Sequence, residues 1–267
     1  FQKDISGTYS DAHGDKIPAH SNTTSWNAKI TGELNSKSDL TFSVDRYTAR
    51  YMYSGSNRHT DERHYGSSNE LSWRLIHNYK VNDRLKNQFS VYSHSADTLY
   101  DEWLMDLETI GFVDQVTALL PGGHEIAAGI DIYQDKIKSY IDAEGARYKG
   151  KKVTSRSFFI QDRWDLTDQF NLTGGLRYTN HSLAGGNTSL SAVAGYDISK
   201  DTNIYASYKQ YFAAPNQYQY FGPYGNRNLK PEKGYTYEAG ISHTFDDSLN
   251  AQFHIFRRKS RDVVAYV

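Results

Sequence analysis

In Trp26-Asn27-Ala28-Lys29-Ile30-Thr31-Gly32-Glu33-Leu34-Asn35 an apolar or small residue alternates with a polar one at every step. A period of two belongs to a β-strand with one apolar and one polar face, whereas a helix repeats every three or four residues. Ser36-Lys37-Ser38-Asp39 then supplies a tight polar turn, and Leu40, Phe42 and Val44 restart the alternation. Two such runs joined by a short turn make an antiparallel hairpin.

The unit recurs along the chain. Leu71, Trp73 and Leu75 lead through Val81-Asn82-Asp83-Arg84 to Leu85, Phe89 and Val91. Pro121-Gly122-Gly123 precedes His124, Ile126, Ala128, Ile130 and Ile132. Phe158, Ile160 and Trp164 run into Asp165-Leu166-Thr167-Asp168, followed by Phe170, Leu172, Gly174, Leu176 and Tyr178. Ala192, Ala194 and Tyr196 are followed by Ser199-Lys200-Asp201 and then Ile204, Ala206 and Tyr208. Tyr235, Tyr237, Ala239 and Ile241 are followed by Asp246-Asp247-Ser248 and then Leu249, Ala251, Phe253 and Ile255.

These runs give about six hairpins, or roughly twelve strands, each near the length that crosses a tilted path through a bilayer. The other connections are longer and polar, over 54–68, 95–112, 142–153, 182–187 and 213–233. Short turns at one end and long loops at the other are the asymmetry of an outer-membrane barrel. Two irregularities stand out. Asp162 interrupts an apolar face, and the strand at 39–53 switches its apolar parity near Asp45; the top of a membrane band and a β-bulge both fit. Within 101–119, Trp103, Leu104, Leu107 and Ile110 are spaced like a helix face, which leaves strand and short helix open.

Composition agrees with the barrel. The mean hydropathy of the 267 residues is -0.72, and no run approaches the roughly 18 apolar residues of a membrane-spanning helix. A transmembrane β-barrel needs no such run, since only alternate side chains meet lipid. The fold class expected is all-β, an antiparallel transmembrane β-barrel. Aromatic residues make up 14%, with 22 Tyr, which suits a membrane interface or a ligand-stacking surface. With 30 basic and 31 acidic residues there is no electrostatic case for nucleic acid. The absence of Cys removes disulfides and thiolate metal sites. The chain starts at Phe1 without signal-peptide features, which is uninformative without its start codon.

Two segments resemble a known family. Phe159-Ile160-Gln161-Asp162-Arg163-Trp164 with Leu172-Thr173-Gly174-Gly175-Leu176-Arg177-Tyr178 is similar to the Gln-Asp-x-Trp…Gly-Leu-Arg-Tyr hairpin of TonB-dependent receptors. Tyr211-Phe212-Ala213-Ala214-Pro215-Asn216, with Tyr224-Gly225-Asn226 and Asn228-Leu229-Lys230-Pro231-Glu232 downstream, resembles the Phe-x-Ala-Pro…Asn-Leu-x-Pro-Glu region of that family. Pro215, Asn228, Leu229, Pro231 and Glu232 carry this second motif. The chemistry of the segment is consistent without the name. Pro215 cannot continue a strand ladder, and Pro231 holds Lys230 extended before the next strand. Between them Tyr218, Tyr220, Phe221 and Tyr224 form an aromatic cluster with Asn226, a candidate ligand-contact group above the barrel mouth.

The resemblance implies a roughly 22-stranded barrel filled by an N-terminal plug. Roughly twelve strands are present here and nothing resembles a plug or a TonB-box, so residues 1–267 are expected to be a partial barrel domain. It also implies active import of a scarce metal chelate, a ferric siderophore first, energised through TonB by way of the plug. Cobalamin and haem are alternatives, and the surroundings would be outer-membrane lipid and lipopolysaccharide. No resident cofactor is called for. His59 and His64, beside Asp61 and Glu62, are the haem-ligand candidates, but the interval 216–227 has no His, where haem receptors are similar in carrying one.

Other chemistry is thinly represented. Arg147, Lys149, Lys151 and Lys152 form a basic loop, and Arg257, Arg258, Lys259 and Arg261 a basic strand end suited to lipid headgroups. No Gly-x-Ser-x-Gly elbow, phosphate-cradling glycine loop or His-Glu-x-x-His is present, so an enzyme is not expected. The rival classes are an outer-membrane barrel enzyme complete in about twelve strands and a soluble Tyr-rich glycan-binding β-protein.

Overall fold

Each polar turn read from the sequence joins two antiparallel strands. The computed structural model describes residues 2–6, 9–10, 16–17, 20–54, 63–141, 145, 147–222 and 225–265. In chain order the elements are β1 (Gln2–Ser6), β2 (Tyr9–Ser10), β3 (Lys16–Ile17), β4 (His20–Asn35), β5 (Ser38–Ser54) and β6 (Arg63–Asn82). They continue as β7 (Leu85–Tyr100), β8 (Trp103–Leu120), β9 (His124–Ile141), β10 (Arg147–Tyr148), β11 (Lys151–Asp165) and β12 (Phe170–His181). The last are β13 (Gly185–Ser199), β14 (Thr202–Ala213), the short helix α1 (Gln217–Phe221), β15 (Glu232–Asp246) and β16 (Leu249–Arg261). All the strands except β2 and β3, which pair with each other, lie in one sheet. Its long strands follow one another in chain order, with β1 beside β4 and β10 beside β9.

Register shows why the alternation matters. Ile30 lies opposite Phe42, Phe42 opposite Leu75, Leu75 opposite Val91, Val91 opposite Phe112 and Phe112 opposite Ile132. Ile132 itself lies opposite Arg156, and on the other side of β9 the apolar positions lie nearer the short turns, in the rows Ile130, Phe158 and Tyr178 and Ile160, Leu176 and Leu190. They end with Tyr196, Ile204, Ile241 and Phe253. One face of the sheet is therefore a largely apolar band, broken by Asp114 between Phe89 and Ile130, and Ile30, Phe42, Ile130, Phe158, Ile160, Leu176 and Phe253 on it are exposed. The opposite face carries Arg74, Asp131, Gln161, Arg177 and Glu238, with Arg177 Nη2 donating to Asp131 Oδ2 at 2.6 Å. A sheet with this division faces hydrocarbon on the apolar side and a polar lumen on the other.

The lumenal face explains part of the tyrosine content. Tyr92 and Tyr133 flank Gly111 across the register, Tyr51 faces Gly66, Tyr205 faces Gly240 and Tyr211 faces Gly234. Each ring lies over the gap its glycine leaves: a Cβ on Gly111 would stand 2.6 Å from the Tyr92 ring. These tyrosines fill a lumenal surface; they are not an interface girdle.

One sequence expectation changes and two open readings are decided. The connections at 95–112 and 182–187 are tight turns, at Asp101–Glu102 and Ser182–Ala184, so long loops do not occupy every position at that end. The 101–119 stretch is strand β8, with a register shift between Asp106 and Leu107. Leu104, opposite Leu99 and Ile141, and the lumenal Trp103, Met105 and Leu107 make both faces apolar, which hides the period of two. The register stays regular around Asp45, so the parity change there is no bulge. It marks the strand leaving the apolar band: outward positions become Arg46, Thr48 and Arg50. Asp162 does face outward, near the short-turn end, where its carboxylate holds His124 Nδ1 at 2.8 Å.

The strands also outrun the membrane. At about 3.3 Å per residue and a tilt of about 45°, the 18 residues of β8 climb roughly 40 Å against an apolar band of about 25 Å. The surplus forms a wall beyond the band. Replacing Ile160 by Arg places a charge in mid-band and should destabilise the full-length protein in lipid by about 2–4 kcal/mol. The same replacement at the adjacent lumenal Gln161 should cost well under half of that. Denaturant unfolding in phospholipid vesicles measures both, and equal losses would reverse the assignment of the faces.

Candidate functional site

Beyond β14 the chain turns inward. Pro215 is buried and has no N–H for the ladder, and Asn216 starts α1 with a reciprocal cap. Asn216 Oδ1 accepts from Gln219 N at 2.9 Å, and Gln219 Oε1 accepts from Asn216 N at 2.9 Å. The return limb is held to the helix by Asn226 N donating to Gln219 O at 2.8 Å. Asn226 Oδ1 accepts from Asn228 N at 2.8 Å. At the neck, Glu232 accepts from Tyr211 Oη at 2.6 Å and from Arg258 at 3.3 Å, and the Arg258 guanidinium lies 4.5 Å from the Tyr211 ring centre.

The helix does not rest on its own strands. It packs on β9 and β11, so the loop reaches across the lumenal side past β12 and β13. Tyr220 is only 1% exposed, with its ring stacked 6.2 Å from that of His181. Burial pushes the Tyr220 phenol above its ordinary pKa, so it stays protonated at neutral pH. Tyr218 meets Tyr140 at 5.7 Å between ring centres. Two cations lie over the Phe221 ring, Lys151 at 5.9 Å and Arg227 at 5.4 Å.

This strap closes one side of two cavities. The larger, about 640 Å³, is lined by Tyr100, Trp103, Met105, Leu107 and Tyr140 from the strands and by Asn216, Gln217 and Tyr218 from the loop. The smaller, about 310 Å³, is polar, with Tyr133, Asp135, Arg177 and His181 beneath Pro215 and Asn216. Asn216 lines both. An aromatic chamber beside a polar one suits a ligand with flat apolar arms and a charged centre.

The expected site residues divide by role. Tyr218 lines the larger cavity and Phe221 joins the cations, whereas Tyr220 anchors the strap from below and Asn226 ties its turn. Among the motif residues, Pro215 lines the polar cavity, Glu232 clamps the neck, and Asn228, Leu229 and Pro231 belong to the return limb. His59 and Tyr224 lie outside the described residues. His64 Nδ1 is hydrogen-bonded to Asp101 Oδ2, tying β6 to the β7–β8 turn. Sequence reasoning missed Tyr100, Trp103, Met105 and Leu107, because 95–112 reads as a loop, and it also missed Tyr140, at the end of β9. The available signal was Trp103, Met105 and Leu107 at strand spacing.

A profile of the family described as TonB dependent receptor-like, beta-barrel matches residues 2–267. The chain belongs to this family. As a TonB-dependent receptor barrel it is an outer-membrane protein of a Gram-negative bacterium. It is 33% identical over 107 residues to the vitamin B12 transporter BtuB of Vibrio cholerae serotype O1, an alignment covering 40% of this chain and 16% of that protein. Its fold matches the siderophore receptor PirA of Pseudomonas aeruginosa with a TM-score of 0.75 at 17% identity, over 92% of this chain and 49% of that one. It matches the ferric enterobactin receptor PfeA of the same organism with a TM-score of 0.78 at 16% identity, over 96% and 45%. A structure described as the copper transporter OprC gives 0.77 at 16% identity, over 95% and 47%. The chain thus spans about half the length of the solved receptor barrels it matches.

Tyr220 is the testable anchor. Losing so buried an aromatic ring costs about 3–5 kcal/mol in a rigid site, enough to unseat the strap. In the full-length receptor, Tyr220→Ala should expose 217–230 to limited proteolysis while the strands stay protected, and Tyr220→Phe should not. A strap equally resistant in both variants would contradict the anchoring role.

Proposed function

We propose that the chain is the barrel part of an outer-membrane receptor that actively imports a ferric chelate, a ferric siderophore first. The observation that carries this is the cavity of about 640 Å³ walled by Trp103, Tyr100, Tyr140 and Tyr218, with Lys151 and Arg227 on the Phe221 ring at the far end of the same helix. Its volume suits a ligand of several hundred daltons. Aromatic walls stack on flat chelating arms, and nearby cations favour the negative charge that oxygen chelators retain around Fe³⁺. Such a complex is too bulky and too dilute for passive diffusion. A binding site must therefore be coupled to an energy source, in this proposal TonB acting through a plug in the larger receptor. The ligand passes through chemically unchanged.

Cobalamin is the second reading, favoured by the sequence similarity to the vitamin B12 transporter. The test separates the two. Ferric chelates should quench tryptophan fluorescence of the full-length receptor, and Trp103→Ala and Tyr218→Ala should each weaken binding by about 10- to 30-fold. Cells carrying either variant should take up correspondingly less radioactive iron at limiting chelate. If cobalamin binds tightly and ferric chelates do not, the substrate assignment changes. If neither binds, the receptor proposal fails.

A further inference from the structure

The strap rests on a histidine whose neutral form is fixed by geometry. β12 has left the apolar band by its last residues, since the outward positions next to His181 are Asn180 and, opposite it, Arg156. His181 opens the β12–β13 turn with its ring on the lumenal side, 4% exposed and stacked 6.2 Å from the Tyr220 ring. Its Nδ1 accepts from the backbone N–H of Ala184 at 3.1 Å and from that of Leu183 at 3.4 Å. Two converging N–H donors require a lone pair on Nδ1, so the ring proton sits on Nε2. The ring also lines the polar cavity of about 310 Å³, through which water reaches it.

A second proton has no place in this arrangement. On Nδ1 it would face the Ala184 and Leu183 donors, and relieving that clash turns the ring out of its stack with Tyr220. No carboxylate lies within ion-pair distance of His181 among the described residues, whereas His124 has Asp162 and His64 has Asp101. Asp135 of β9 favours a charged ring from further away, but its Oδ1 already accepts from Thr109 at 2.6 Å. Arg177 of β12 opposes a second cation and is itself paired with Asp131 of β9. The other titratable groups beside the ring are the phenols of Tyr133 and Tyr220. From β11, Val153, Ser155 and Ser157 face this cavity, and from the strap Pro215 and Asn216, none of them titratable.

Burial, offset only in part by Asp135, holds the His181 imidazole below its ordinary pKa. The closed strap thus binds fewer protons than an open one, in which the ring is solvated. The ring's contribution to closure is complete above the ordinary histidine value of about 6.5. It is lost progressively as the pH falls from there through the lowered value.

We propose that His181 is an acid-released latch: the neutral ring holds the strap on the barrel wall, and protonation at Nδ1 frees Tyr220 and opens the ligand chamber. Its use in loading or releasing cargo rests on the import proposal. The opening itself belongs to the strap and is measured without cargo, so the two proposals fail separately.

Limited proteolysis of the full-length receptor by papain, from about pH 7.5 to about pH 4, brackets the ordinary histidine pKa and reads the opening. Rates are scaled to the protease's rate on an unfolded substrate at each pH. Cleavage within 217–230 should be roughly 5- to 30-fold faster at the acid end, the effect of losing one or two backbone hydrogen bonds, while the strands stay protected. His181→Asn keeps an acceptor oxygen at the place of Nδ1 but cannot titrate, so its acid-to-neutral ratio should be close to one. Asp135→Asn removes the group that favours the charged ring, and its strap should still open, at a lower pH than in the wild type. Equal cleavage of the wild type across the range would overturn the proposal. So would a wild-type ratio in His181→Asn. An Asp135→Asn strap that stays closed throughout would make that carboxylate the sensor and overturn it as well.

Discussion

Inside hydrocarbon no water is available to a backbone N–H or C=O, so each must find its partner in the neighbouring strand. The rest of this structure depends on that constraint. It forces long, continuous antiparallel ladders, and the pleat of each ladder then sorts side chains between two solvents. One side must be apolar over the thickness of the membrane, as the band from Ile30 to Phe253 is apart from Asp114. The other is released from that demand and can carry Arg177, Asp131 and the tyrosines seated over glycines. Those rings have a mechanical consequence: a side chain at Gly111 would collide with Tyr92 and Tyr133, so the lumenal surface is packed from within the sheet.

The site arises where the constraint ends. β7, β8 and β9 continue beyond the band, and there neither face needs to meet lipid. Trp103, Met105 and Leu107 can then turn apolar side chains inward and make a chamber. The strap closes it because three local devices agree. Pro215 ends the ladder, the Asn216–Gln219 cap starts a helix, and Glu232 with Tyr211 and Arg258 fixes the neck. Tyr220 against His181 converts that local geometry into a contact with β12, two strands away along the same wall.

What the sequence disclosed follows the same division. Within the band lipid enforces the period of two, so the hairpins, their turns and the all-β fold were legible from residues such as Phe158, Ile160 and Trp164. Above the band nothing enforces it. Trp103, Leu104 and Leu107 resembled a helix face because both sides of β8 are apolar there and the register shifts at Asp106. The aromatic cluster at 218–224 was legible as a loop, but its inward course was not, since it depends on partners tens of residues away. Tyr220 illustrates the limit: sequence marks it as a ligand contact, while the structure gives it a buried anchoring position. The tyrosines at 51, 92, 133 and 205 likewise look interfacial until register sets them against glycines.

The central claim is that the inward strap and the wall of β7–β9 together hold the cargo. Crystals of the full-length receptor grown with a ferric chelate and measured at the iron absorption edge test it most directly. The account predicts an anomalous iron peak beside the cavity bounded by Trp103, Tyr140 and Tyr218, with chelator density against those rings. An ordered ferric chelate elsewhere in the lumen, with that cavity empty of it, would contradict the account.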